Sequence, residues 1–474
     1  MSVPRRSRVA HWFRRCCVLL LLGLLFVHAP AAPLRAQQED PFAPYLGRYH
    51  PNTTIERRGD ELWLTRPPFE SQLVDIGGGL LGFAHGYLQG TPLHFASNPD
   101  GSASIMLLSG SGQWYEYARS GTPYSIDPAL AAALEQVLEQ TRAEMNVPSI
   151  QMSVSIPGQG EWSGARGLAN PAVGIPATPN DQVRVASITK LFVATVALQL
   201  VQEGWLQLDQ TVEFWLPGLL PKGAQITVRQ LLNHTSGVPD YLTDGFAWSA
   251  SEQQWRYWAP EELVAAALQR GAGGTPGARW SYSNTNYVLL GMIIERVTHY
   301  PLHEEIRNRI INPLGLHDTY IEPFEQPPSV VRSFARQRDL TDVNLSFAWA
   351  AGNISATTAD LVRFSQALFG GALLGPEALA LMHEFRGTGS GDLLYGLGLM
   401  QDRLNAGQFA DGQPRPREWG ITRGHTGGLI GSRSVLWYLP ERGITLAVNI
   451  NTMNADPDRV ATRALHVILS HTGG

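Results

Sequence analysis

The sequence predicts an α/β protein: an antiparallel sheet flanked by helices, an all-α part with a cleft between the two, and a small antiparallel β domain placed first. Three observations predict it. Short alternating runs rich in Gly and aromatics fill residues 37–125, strand-like runs stand at both ends of residues 126–474, and the stretch between those ends is patterned as helices.

At the N-terminus, Arg5, Arg6, Arg8, Arg14 and Arg15 precede an apolar run over 18–27 and a small-residue stretch over 29–36, the order of a secretory signal peptide. The apolar run is about half of the ~20 residues that a membrane-spanning helix needs. Residues 1–36 are therefore expected to be removed on export to the periplasm or the extracellular space, leaving no stable membrane span. The only two cysteines, Cys16 and Cys17, fall inside this segment. A mature chain without thiols excludes disulfides, Cys-ligated zinc and a cysteine nucleophile. The segment carries six arginines and no acid, so its loss takes the formal charge from -5 to -11. An acidic mature chain argues against nucleic acid and anionic lipid as partners.

Within 37–125, Glu61 to Leu64 and Gln113 to Tyr117 read as strands, and Asp100 with Gly101 supplies a hairpin turn. A boundary is expected near Ser125. Beyond it come a helix over 129–144 and strands over 150–156 and 162–168. Residues 188–203 are apolar on nearly every face until Gly204, which predicts a buried helix with Ser187 at its start. The middle, 206–347, reads as helices and loops, clearest at 227–233, 260–269 and 284–298. A helix over 358–368 follows, then a hairpin of strands 434–439 and 444–450 around a turn at 440–443, and a last helix over 457–469.

The candidate chemistry starts at Ser187, Ile188, Thr189, Lys190, a spacing that puts a hydroxyl and an amine one helical turn apart on one face. A serine hydroxyl is a weak nucleophile until a neighbouring base takes its proton, and a desolvated amine can be that base. Lysine is rare here: Lys190 and Lys222 are the only two among 36 basic residues. Arginine could not release a proton at that position. Tyr282, Ser283 and Asn284 stand at a loop-to-helix junction, where a cationic Lys190 would favour an ionised Tyr282; the bland reading is that Asn284 caps the helix. His425, Thr426, Gly427 and Gly428 lead into the C-terminal hairpin, where glycines allow close approach of a substrate. The N–H groups of Ser187 and Gly428 are the expected oxyanion donors.

In this order the three motifs resemble the serine β-lactamase and penicillin-binding protein family. The Tyr282 form of the second motif is similar to its class C and D-alanyl-D-alanine carboxypeptidase branch, over most of 126–474, including Leu231 to Gly237. The resemblance implies a β-lactamase-like fold, a Ser187 nucleophile, Lys190 and Tyr282 as the general base pair, and substrate contacts at Asn284, His425, Thr426 and Gly427. It implies neither metal nor organic cofactor. His234 is given a structural role and Arg433 is a candidate for a substrate carboxylate. His425 stands where the β-lactamase branch usually has lysine, which favours a carboxypeptidase, D-amino-acid peptidase or esterase over an efficient β-lactamase.

The expected partner is a small-molecule or peptide substrate with an ester or amide carbonyl. Two other classes of function stay open: a penicillin-recognising receptor acylated without turnover, and a binding module whose β domain holds the ligand. No G-x-S-x-G elbow, H-E-x-x-H helix or phosphate-cradling loop is found. Oligomeric state is silent in the sequence.

Overall fold

The computed structural model describes residues 47–471 apart from 50–52, 67–68, 78–79, 85–91, 98–102, 109–113, 119–125, 328–329, 336–337 and 405–418. The expected export segment 1–36, the turn at Asp100 and Gly101 and the boundary at Ser125 lie outside the described residues.

The first sheet is an eight-stranded antiparallel meander in which each strand pairs with the next, from Gly47–Tyr49 to Trp114–Ala118. Its strand Glu61–Arg66 shows the period-2 pattern, with Leu62 and Leu64 buried and Glu61 exposed between turn and solvent.

The second sheet has nine strands, in the order Ile175–Pro176, Gly160–Asn170, Ser149–Ile156, Ile444–Ile450, Ser432–Leu439, Ile421–Leu429, Met400–Arg403, Leu394–Tyr395 and Arg386–Gly387. All the pairings are antiparallel. The two ends of the sequence meet at its centre, where Ser149–Ile156 pairs with Ile444–Ile450. Every residue of Ser149–Ile156 is buried, because both faces are covered. Ile150, Met152, Val154 and Ile156 join a cluster with Leu130, Leu134 and Leu138 of the helix Pro128–Met145 and Leu465 and Ile468 of the helix Pro457–His471. Such side chains contribute roughly 1.5–3 kcal/mol each. The alternate residues turn to the helix Thr358–Phe369, where Ser153 Oγ lies 2.7 Å from Thr358 Oγ1 and Gln366 Nε2 donates to Ser155 Oγ at 2.6 Å.

A second cluster fills the helical part around Thr189–Gln202, the helix predicted to be buried. Its residues from Thr189 to Leu198 are all buried, and Phe192 stacks on Phe364 with ring centroids 3.8 Å apart. A three-stranded sheet of Val183–Arg184, Ile354–Ala356 and Thr319–Ile321, the last inside the stretch expected to be helices and loops, was not foreseen, since strands of two or three residues show no period. It carries the chain into Ser187. Among the described residues, no helix is long and apolar enough to cross a membrane.

Candidate active site

Three segments converge on Ser187. The first is its own approach. Arg184 is buried and bound to Glu322, with Nη2 to Oε2 at 2.8 Å, and also donates to the carbonyls of Leu340, Thr341 and Val343. Its own carbonyl accepts from Ser432 Oγ and Asn449 Nδ2, and the Val185 carbonyl accepts from Ser434 Oγ at 2.8 Å. This stitches the chain to the hairpin strand Ser432–Leu439. Ala186 then takes φ 51°, a left-handed conformation that costs an L-residue about 1–2 kcal/mol. Ala186–Ile188 form a 3₁₀ turn, and the α-helix starts only at Thr189, one residue later than the apolar pattern implies. Strain held by the surrounding bonds at this point places the half-buried Ser187 at the mouth of a buried helix.

The second segment is the helix Asn284–Thr298. Its approach loop is docked on the turn that Leu231 to Gly237 form: Ser281 N donates to the His234 carbonyl at 2.8 Å and Gly277 N to that of Thr235 at 2.7 Å. The helix N-cap is Ser283, whose side chain makes no capping bond, so the expected cap at Asn284 is displaced by one residue. Asn284 is instead free to use its side chain elsewhere. Its Oδ1 accepts from Lys190 Nζ at 2.8 Å, its Nδ2 donates to Asp240 Oδ2 at 3.0 Å, and its backbone N donates to Asp240 Oδ1 at 3.0 Å.

Lys190 Nζ also reaches Ser187 Oγ at 3.0 Å and the Ala351 carbonyl at 2.7 Å. Its side chain is among the largest that are fully enclosed. Burial pulls the amine down to about 7, against the Asp240 charge, which acts to raise it. A neutral amine in this place has two N–H groups for Asn284 and Ala351 and a lone pair for the Ser187 hydroxyl. The ring of Tyr282 lies 5.1 Å from Nζ, and its phenol shares a hydrogen bond with Ser187. Burial pushes this phenol up, the Ser187 bond lowers it in part, and Asp240 adds to the rise. The expectation of an ionised Tyr282 favoured by a Lys190 cation is therefore corrected: desolvation outweighs it, and the phenol stays protonated.

The third segment is the strand Ile421–Leu429. The strand Met400–Arg403 pairs with it only as far as Gly424. From His425 onward, that edge carries no ladder partner among the described strands, and Thr426 and Gly428 are exposed along it. Gly427 is buried, and a Cβ there would lie 2.0 Å from Ser434 Oγ and 2.3 Å from the Val185 carbonyl. Its lack of a side chain serves the packing of the Ser187 approach.

His425 departs further from expectation. It is 1% exposed, with Nδ1 2.6 Å from the Thr426 carbonyl and Nε2 2.9 Å from Tyr395 Oη. The carbonyl can only accept, so Nδ1 carries the proton and Nε2 accepts from Tyr395. Tyr395 in turn lies 3.2 Å from His234 Nε2, while His234 Nδ1 accepts from Ser283 N and Asn286 Nδ2. Every donor in this chain has one acceptor, which fixes both tautomers. Burial first, then the Lys190 charge, bring His425 down to about 3, with the Thr426 bond opposing. A neutral ring with both nitrogens engaged offers nothing to a substrate, so His425 is a support for Thr426 and Tyr395. His234, with φ 58° and its ring 4.3 Å from that of Tyr282, backs the phenol, in line with its expected structural role.

Arg433 lies across the strand pair from Gly428 and donates from Nη1 to the Leu429 and Ser432 carbonyls, with Asp244 countering its charge. Asp240, Tyr395 and the Ala351 carbonyl were not singled out from the sequence. Asp240 carried a weak signal, an acid three residues past the Leu231 to Gly237 run; Tyr395, on a two-residue strand, carried none. Among the described residues, no three His, Cys, Asp or Glu side chains come together to hold a metal ion.

The family described as Beta-lactamase matches residues 134–470. The chain belongs to this family. It is 31% identical over 214 residues to penicillin-binding protein 4* of Bacillus subtilis (strain 168), covering 41% of this chain and 46% of that protein. It is 33% identical over 210 residues to esterase EstB of Burkholderia gladioli, covering 42% and 53%. The chain spans about half the length of these curated relatives. Among solved structures, it is similar to a D-stereospecific amidohydrolase from Streptomyces sp., with 37% identity, a TM-score of 0.61, and coverage of 70% of this chain and 97% of that one. It is also similar to a D-amino acid amidase from Ochrobactrum anthropi SV3 complexed with L-phenylalanine amide, with 29% identity, a TM-score of 0.63, and coverage of 73% and 99%.

Proposed function

We propose that this member of the Beta-lactamase family is an exported serine hydrolase that cleaves an ester or amide through an acyl-enzyme on Ser187. The observation that carries the reading is the enclosed Lys190 amine, brought to about 7 by burial and 3.0 Å from Ser187 Oγ. A base whose affinity for a proton lies near neutrality combines availability with driving force. In the proposed sequence, Lys190 takes the Ser187 proton as Oγ bonds to the substrate carbonyl carbon. The resulting oxyanion is received by the N–H groups of Ser187 and Gly428. The C–O or C–N bond then breaks, and the leaving alcohol or amine takes a proton relayed from the Lys190 ammonium through the protonated Tyr282 phenol. Water repeats the steps on the ester and releases the acid, restoring Ser187. Thr426, exposed on the open strand edge, is the proposed backbone and hydroxyl contact for the substrate.

The substrate class follows from charge. A neutral His425 leaves that position without a cation for a drug's carboxylate, which supports substrates without a carboxylate there, as for a D-amino-acid amidase or an esterase, over an efficient β-lactamase. Similarity along nearly the full length of the Streptomyces and Ochrobactrum structures supports D-aminoacyl amides in particular. Export rests on the arginine cluster and apolar run of residues 1–36.

Initial rates on D- and L-phenylalanine amide, a nitrophenyl ester, a D-Ala-D-Ala peptide and nitrocefin test this. Faster turnover of D-amide or ester than nitrocefin, lost in Ser187→Ala, is expected. Nitrocefin as the preferred substrate would overturn the substrate class, and a stable label without product release would make the chain a receptor.

A further inference from the structure

Asp240 touches neither Ser187 nor the open strand edge, yet the geometry of the site ends on it. We propose that Asp240 is a positioning residue of the catalytic apparatus: it grips Asn284 at two nitrogens so that Oδ1 is aimed at Lys190, and supplies the negative charge that balances the buried ammonium whenever Lys190 carries a proton. The inference rests on the reading of Lys190 as the base.

The grip is two-pronged. Asp240 Oδ1 accepts from Asn284 N at 3.0 Å and from Leu242 N at 3.1 Å, and Oδ2 accepts from Asn284 Nδ2 at 3.0 Å. All three partners are donors, a set that a carboxylate satisfies and a protonated acid would waste. An amide side chain can turn end for end at almost no cost, and the Oδ2 bond prevents it here. With Nδ2 committed to Asp240, only Oδ1 can face Lys190.

Among the described residues, five other titratable groups face Lys190. The rings of Tyr282 and Tyr287 lie 5.1 and 5.5 Å from Nζ, and His234, His425 and Asp240 are the other titratable groups it interacts with. Burial holds both histidines neutral and pushes Tyr282 and Tyr287 up, as it does Tyr241 and Tyr395 around them. Asp240 is thus the anion of this enclosure. Burial raises it, and its three hydrogen bonds and Lys190 act to lower it. When Lys190 takes the Ser187 proton, the new ammonium faces Asp240 through Asn284, so the proton transfer does not create an uncompensated charge.

The bland alternative is that Asp240 merely caps the helix that begins at Asn284. A direct titration distinguishes the two. The chain has two lysines, Lys190 and Lys222, so protein labelled with 13Cε-lysine gives two signals, with the half-buried Lys222, outside this enclosure, as internal control. In Asp240→Asn, the Lys190 signal is expected to titrate at least about one pH unit lower than in the wild type, and the acid limb of kcat/KM to move with it. Asp240→Glu should bring both back toward the wild-type position. Asp240→Ser, which can still cap the helix, is the second neutral variant should Asp240→Asn fail to fold, and is expected to show the same shift. An unmoved Lys190 titration in a folded neutral variant would overturn the proposal, even if activity falls. The signal is read on Lys190 itself, so failure of the hydrolase reading is recognised separately, by wild-type protein that shows no Ser187-dependent turnover.

Discussion

A lysine amine with no exposed surface is costly to a fold, and at Lys190 the cost has a pH signature. Its folded value of about 7 lies below the ~10.4 of an unfolded chain. Between those values the unfolded state binds one more proton, so stability rises with pH across that window. Below pH 7 the full penalty remains, on the order of 4 kcal/mol. Lys190→Met is therefore expected to raise the melting temperature relative to wild type, most at pH 6 and least near pH 10, as thermal unfolding at both pH values would record. Activity runs with the neutral amine, so the acid limb of kcat/KM should fall near pH 7. Much of this was legible in the sequence: one lysine set into an apolar helix start one turn after a serine. The direction of Tyr282 was not, because phenol titration depends on how completely the fold closes over it, and no spacing encodes that.

At the scale of elements, the strand Ile421–Leu429 and the Ser187 turn act as one unit, since Ser434 Oγ bonds the Val185 carbonyl and Gly427 leaves room for both. Gly427→Ala would drive a methyl into backbone and a committed hydroxyl, costing about 1–3 kcal/mol. It should lower kcat by about 100-fold through displacement of Ser187, with the protein still folded; unchanged kcat would separate this strand from the site. The sequence resolved the long elements well. The helix predicted over 284–298 is Asn284–Thr298, and the one over 188–203 is Thr189–Gln202. What it could not resolve are features set by tertiary context: the left-handed Ala186, where no Gly or Asn announces the turn, and Leu394–Tyr395, too short to alternate yet the source of the phenol that orients His425.

Across the whole molecule, the two hydrophobic clusters are built from Ile126 and residues after it, while Ile55, Leu62, Leu64, Leu73, Phe83 and Leu93 of the eight-stranded sheet join neither. A chain of residues 126–474 is therefore expected to fold and to react at Ser187 within a few-fold of the full-length rate, followed with a fluorescent phosphonate. A large loss would assign the small sheet a part in the site. In the sequence the difference between the two parts shows as a change of period, from the 2 of the strands before residue 119 to the 3.6 of the helix that starts at Pro128.

The account turns on a serine hydroxyl activated by an uncharged lysine amine. Peptide mapping by mass spectrometry, after a short exposure to a slowly hydrolysed ester, tests that most directly. The predicted result is one acyl adduct, on Ser187, formed at least about 100-fold more slowly in Lys190→Ala. An adduct on another residue, or equal rates in the two proteins, would contradict it.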